Sequence, residues 1–114
     1  QAGMIRAAEA ELEMARRELD DALAQAQAEA TRLTVRFRLA ERQIVRFREG
    51  ILLQTSATLD AARASYLAGR GDFSTIIEDF DLWLEARVQL TRREADRFAA
   101  WAEMEQLSPA GGRP

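Results

Sequence analysis

The sequence predicts an all-α protein, a long antiparallel α-helical hairpin with coiled-coil packing. Three observations support this prediction. The chain of 114 residues is 47% hydrophobic and 31% charged with only two prolines, which is typical of one ordered, helix-rich domain. Apolar residues recur every seven positions through two long segments, and a single strong helix-breaking stretch, residues 66–73, separates them.

The first predicted helix covers about residues 5–68 and contains no proline. At about 1.5 Å per residue it should measure roughly 95 to 100 Å. Its apolar residues fall on two heptad lines. The first line is Ile5, Leu12, Leu19, Ala26, Leu33, Ala40 and Phe47, and the second is Leu23, Ala30, Phe37, Ile44 and Ile51. Together the two lines predict the seam of a coiled coil.

Two features should modify this helix before it ends. Gly50 interrupts the seam and is followed by the apolar run 51–53, so we expect a kink rather than a stop. Between Thr55 and Ala64 the apolar positions hold mainly alanine, which buries little area per residue. Packing near the turn should therefore be close but thin.

The turn carries residues suited to ending one helix and starting another. Gly69 stands where a helix C-cap needs a left-handed residue. Asp72, Ser74 and Thr75 offer N-cap oxygens, and Thr75-x-x-Glu78 matches a capping box. We therefore expect a second helix over about residues 75–106.

The second helix has apolar residues on two adjacent stripes, an arc wider than a two-helix contact requires. One stripe is Ile77, Phe80, Leu84, Val88, Thr91, Ala95, Phe98 and Ala102, and the other is Ile76, Trp83, Leu90 and Met104. This helix should have neighbours on two sides. Residues 108–114 hold breakers and no apolar anchor, so we expect a hairpin domain over 1–107 and a disordered tail.

The two helices differ in length by a factor of about two. Roughly residues 5–35 should therefore lack a partner within the chain, and their apolar seam would face water. We expect the chain to be part of a larger protein or to self-associate. As an isolated fragment it should pair antiparallel, so that the upper halves of two first helices cover each other.

Composition argues against several classes of function. The net charge is −3, and the 16 basic residues, all arginine, alternate with acids, so a nucleic-acid surface is not predicted. Without histidine or cysteine the chain lacks the usual nucleophile–base pairs and transition-metal ligands. We predict no enzyme activity, no catalytic residue, no metal and no cofactor.

Four segments resemble the TolC-like family of outer-membrane efflux channels, in its heavy-metal branch. Gly3-Met4-Ile5-Arg6-Ala7-Ala8-Glu9-Ala10 is similar to that family's exit from its last β-strand into a long periplasmic helix. Ala40-Glu41-Arg42-Gln43-Ile44-Val45-Arg46-Phe47 and Ile51-Leu52-Leu53-Gln54 resemble its mid-helix segment, with Gln54 where the family often has proline. Tyr66-x-x-Gly69, Asp72-Phe73 and Ile76-Ile77 resemble its periplasmic tip and shorter returning helix.

This resemblance implies a structural role in a tripartite efflux pump. Three copies of the full-length protein would form a channel whose helical barrel crosses the periplasm and meets a periplasmic adaptor, which joins an inner-membrane pump. The chain would supply one long and one shorter helix of that wall. The family's adaptor-docking and gating tip corresponds here to Tyr66, Gly69, Arg70, Gly71, Asp72 and Phe73.

Other interpretations remain open at the sequence level. Tyr66 one turn before a helix end is also typical of simple packing, Gly69 has a backbone role, and Arg70 and Asp72 are also typical of a solvated loop. The chain as a whole also fits a stand-alone coiled-coil scaffold. Amphipathic β-strands encoded just upstream of Gln1 would favour the channel, and an unrelated domain there would favour the scaffold.

Overall fold

The computed structural model describes residues 1–108, and helices account for nearly all of them. Helix α1 covers Ala2–Arg46, a π-helical turn covers Phe47–Ile51, α2 covers Leu52–Leu67 and α3 covers Phe73–Leu107. No strand occurs within residues 1–108. The all-α prediction is confirmed, with helix ends within three residues of those expected. The predicted tail lies outside the described residues except for Ser108, whose backbone N–H caps α3 through the Met104 and Glu105 carbonyls.

The molecule is a rod 99 Å long and 27 by 17 Å across. α1, the π turn and α2 follow one another without a break from Ala2 to Leu67, which sets this length. The length agrees with the expectation for one long first helix.

The irregularity expected at Gly50 takes the form of the π turn. The backbone N–H of Leu52 donates to the Phe47 carbonyl, five residues earlier, so one extra residue is accommodated and the helix continues. A Cβ on Gly50 would meet no atom within 4 Å. Glycine is therefore not required there for space.

α3 runs antiparallel to α1 and α2. Arg36 Nη1 lies 2.9 Å from Glu103 Oε2, and Arg48 Nη2 lies 3.4 Å from Glu94 Oε2. Residue numbers therefore rise along the first helix in the direction in which they fall along α3. The buried core between them consists of six apolar side chains: Leu33, Ala40, Ile44, Ala86, Leu90 and Ala100. Half of these are alanines, which let the helices approach closely but bury little area.

Every residue of α1 before Glu29 is exposed. The expected unpartnered region is therefore present, but its predicted end near residue 35 was wrong, because Leu33 is only 1% exposed. The last turns of α3 reach this level: the Thr34 hydroxyl contacts Met104 Sδ at 3.9 Å. α3 is long enough to cover α1 from about residue 29 onward.

Candidate functional site

The turn between α2 and α3 is closed by backbone hydrogen bonds. The Gly69 N–H donates to the Tyr66 carbonyl at 3.0 Å, and the Arg70 N–H donates to the Ser65 carbonyl at 2.8 Å. This pair of bonds is a Schellman motif, which requires a left-handed residue directly after the cap. Gly69 has φ +76°, so its predicted backbone role is confirmed.

Gly71 is a second glycine of the turn with a structural role, which the sequence did not predict. A Cβ on Gly71 would lie 3.2 Å from the Ser65 Cβ and 3.3 Å from the Tyr66 nitrogen. Because one of these neighbours is backbone, the chain has little room to give way. The spacing Gly69-x-Gly71 was the available signal, since a second glycine this close to a helix end indicates that the returning chain passes close to the helix.

α3 begins two residues earlier than predicted. Asp72 is its N-cap, with extended backbone angles of φ −94° and ψ 145°, and the Thr75 N–H donates to the Asp72 carbonyl at 3.2 Å. The predicted capping box was wrong, because Thr75 lies inside the first turn. No side chain caps this end, so the backbone of the turn determines where α3 begins.

The outer surface of the tip is apolar. The rings of Tyr66 and Phe73 pack with centroids 5.7 Å apart at 58°, and both side chains remain about half exposed. Leu67 beside them is 80% exposed. The structure thus brings Tyr66 and Phe73, from the end of one helix and the start of the next, into one exposed patch, which we call the tip patch: Tyr66, Leu67 and Phe73.

Arg70 and Asp72 lie on the turn beside the tip patch. Among residues 1–108, neither forms an ion pair within 4.0 Å. They also line a shallow open groove of about 350 Å³ on the inner side of the turn. The opposite wall of that groove consists of small α2 side chains, Thr58, Ala61, Ala62 and Ser65. α2 contains no buried residue, so packing near the tip is thin, as predicted.

The two apolar stripes of α3 have different surroundings. The narrower stripe is the one of four residues: Leu90 is buried, and Ile76, Trp83 and Met104 are half-buried. The wider stripe, of eight residues, faces away from the first helix. Its large members are between 41% and 66% exposed: Ile77, Phe80, Leu84, Val88 and Phe98. We call these five residues the outer stripe. Trp101, 46% exposed, packs beside Phe98 with ring centroids 5.8 Å apart and the ring planes tilted by 40°.

Metal-binding groups and membrane-spanning helices were both sought among the described residues. Within 1–108 no group of three or more acidic side chains is placed to hold a metal ion. In the same range no helix has a stretch both long and apolar enough to cross a bilayer. The tip patch and the outer stripe are exposed apolar surfaces, and contiguous exposed apolar surface is the type at which proteins contact another molecule.

Comparisons with known protein families, with characterised proteins and with solved structures found no match to this chain.

Proposed function

We propose that this hairpin is a structural element of a larger helical assembly, the periplasmic wall of a trimeric outer-membrane export channel. In this proposal the tip patch docks a periplasmic adaptor that connects the channel to an inner-membrane pump. The hairpin itself performs no chemistry. Coiled-coil packing between hairpins builds the wall, and the turn at 66–73 contributes to closing its lower end.

The observation that carries the proposal is the outer stripe of α3. A helix within a cylindrical wall contacts one neighbour on each side, so it needs two apolar faces. α3 has two, and only the face with Leu90 is covered by the first helix. The outer stripe supplies the second contact, with Phe80 and Phe98 as large aromatic members.

The tip supports the docking role through its shape and rigidity. Backbone bonds from Gly69 and Arg70 hold the turn in one conformation, so little conformational entropy is lost when a partner binds. Exposed aromatic side chains such as Tyr66 and Phe73 are the type that dominates binding energy at protein interfaces. An apolar patch at the end of a 99 Å rod is well placed to contact a separate protein end to end.

The test uses the full-length protein in the bacterium that produces it. The proposal predicts that the protein fractionates with the outer membrane and co-purifies with a periplasmic adaptor. Gly69→Pro should abolish adaptor co-purification, because proline cannot adopt the φ of +76° at this position. Gly50→Ala is the matched control, since a Cβ there meets nothing. Unchanged co-purification of Gly69→Pro, or a protein absent from the outer membrane, would contradict the proposal.

A coiled-coil scaffold protein is the second candidate, favoured by the fully exposed α1 segment before Glu29. Such a segment suits a helix that recruits other helices. The coding sequence directly upstream separates the two candidates. Alternating apolar and polar residues of β-strand type there support the channel, and an unrelated domain supports the scaffold.

A further inference from the structure

The first half of α1 carries an uncovered apolar face. It is built from two lines of residues spaced by seven, with isoleucine, two leucines and Ala26 on one line and only alanine on the other. We call it the bare face: Ile5, Ala8, Leu12, Ala15, Leu19, Ala22 and Ala26. Its large members, Ile5, Leu12 and Leu19, are 53% to 60% exposed.

The bare face continues an interface that already exists in the hairpin. The line of Ile5, Leu12 and Leu19 runs on through Leu33 and Ala40, which α3 buries. The line of Ala8, Ala15 and Ala22 continues through three half-buried residues, Glu29, Arg36 and Gln43. One face of the first helix is therefore covered by an antiparallel helix in its second half and uncovered in its first half.

We propose that a second copy of this chain docks on the bare face, with the two α1 helices antiparallel and each bare face covering the other. The two segments are identical, so each covers nearly all of the other. This inference concerns the 114-residue chain and does not depend on the channel.

The orientation follows from the position of α3. In a parallel pair, each α1 beyond about residue 29 would need the face of the other α1 that α3 already covers. An antiparallel pair avoids this conflict, because each copy's α3 then lies at the opposite end of the shared segment. The result is a rod in which two helices are paired along its whole length.

The register follows from packing large side chains against small ones. Ile5 lies opposite the partner's Ala22, Leu12 opposite the partner's Ala15, and Leu19 opposite the partner's Ala8. The two-fold axis repeats each pair, which gives six layers that each combine one large residue with one alanine. The partner's α1, which begins at Ala2, then starts opposite about Gln25. This position precedes the part of α1 that the end of α3 covers, because Met104 of α3 contacts Thr34.

Charges along the two edges of this interface differ in effect. On one edge Glu9 comes near the partner's Arg16, and the two-fold axis repeats this attractive pair. On the other edge Glu11 comes near the partner's Glu18, which is repulsive. Glu18→Arg should therefore tighten the dimer, because it converts both repulsive pairs into attractive ones.

Distances between spin labels placed outside the bare face test the orientation and register of the two helices without changing the interface. The chain has no cysteine, so Glu13→Cys and Gln27→Cys each give one label per copy on the outer surface of α1. The proposed pairing places two labels at position 13 about 20 Å apart and two labels at position 27 about 45 Å apart. A parallel pair would give short distances at both positions and would overturn the proposal, as would a folded monomer at about 100 µM.

Sedimentation equilibrium tests the face itself. Leu12→Glu should raise the dimer dissociation constant by about 100-fold or more, because the substitution acts twice in each dimer. Leu53→Glu, at a leucine 64% exposed and away from the bare face, is the matched control and should leave it unchanged. Circular dichroism checks that both variants stay helical. Equal dissociation constants for Leu12→Glu and the parent chain would overturn the proposal.

Discussion

The backbone N–H of Arg70 donates to the carbonyl of Ser65 at 2.8 Å, and this bond closes the end of the longest helical segment. It forms only because Gly69, between them, has φ +76°. The hairpin thus depends on one backbone conformation that a residue with a Cβ adopts at a cost of about 1 kcal/mol.

Gly69→Ala should destabilise the hairpin by about 1 kcal/mol for this reason. Gly50→Ala should instead stabilise it by about 0.5 to 1 kcal/mol, because alanine favours helix and meets no neighbour at that position. Urea denaturation at one fixed protein concentration measures both, since any association adds to apparent stability. Equal effects of the two substitutions would show that the left-handed turn is not required.

Gly71→Ala should destabilise through crowding rather than through φ. The added methyl group would lie 3.3 Å from the Tyr66 nitrogen, which cannot rotate away. We expect a loss of about 1 to 2 kcal/mol in the free energy of unfolding. Gly3→Ala is the control, because a Cβ there meets nothing within 4 Å. A neutral Gly71→Ala would mean that the turn is looser than the structure shows.

Leu90→Ala should be among the most damaging core substitutions. Leu90 is 3% exposed, and truncating a buried leucine costs about 2 to 5 kcal/mol. Leu82→Ala on the same helix, where the leucine is 55% exposed, should cost less than about 1 kcal/mol. Thermal unfolding of the two variants compares them. Similar melting temperatures would contradict the assignment of the narrower stripe to the core.

Glu29 should titrate below its ordinary range. Its carboxylate accepts hydrogen bonds from Arg32 Nη2 at 2.6 Å and Nε at 3.0 Å, and these bonds lower the pKa of Glu29. The folded pKa lies below the unfolded one, so the associated stability is present above the unfolded pKa and is lost as pH falls through the folded pKa. Carboxyl NMR titration checks this, and the pKa of Glu29 should rise in Arg32→Gln.

The sequence predicted the helices well because heptad spacing and a single breaker are local signals. Leu33, Ala40 and Ile44 stood on the predicted lines, and all three are buried. Gly69 was predicted as the left-handed residue for the same reason, since a helix end determines it locally. The N-cap of α3 at Asp72 was harder to predict, because several residues nearby offered N-cap oxygens and no side chain forms the cap.

Features that depend on tertiary packing were beyond sequence reasoning. The sequence shows two apolar stripes on α3, and only contact with the first helix shows that Leu90 faces inward while Phe98 faces outward. The close approach of Gly71 to Ser65 also depends on how the chain returns. The docking role of the tip stays a prediction, because it concerns a partner surface.

Photocrosslinking from Tyr66 in the full-length protein is the decisive experiment for the proposed docking role of the tip patch. A photoreactive residue at position 66 should form an adduct with a periplasmic adaptor protein, because Tyr66 lies in the exposed tip patch. The same residue at position 53, on the exposed side of α2, should form none with that adaptor. An adaptor adduct from position 66 alone is the predicted result, and no adaptor adduct from that position, or equal adducts from both, would contradict it.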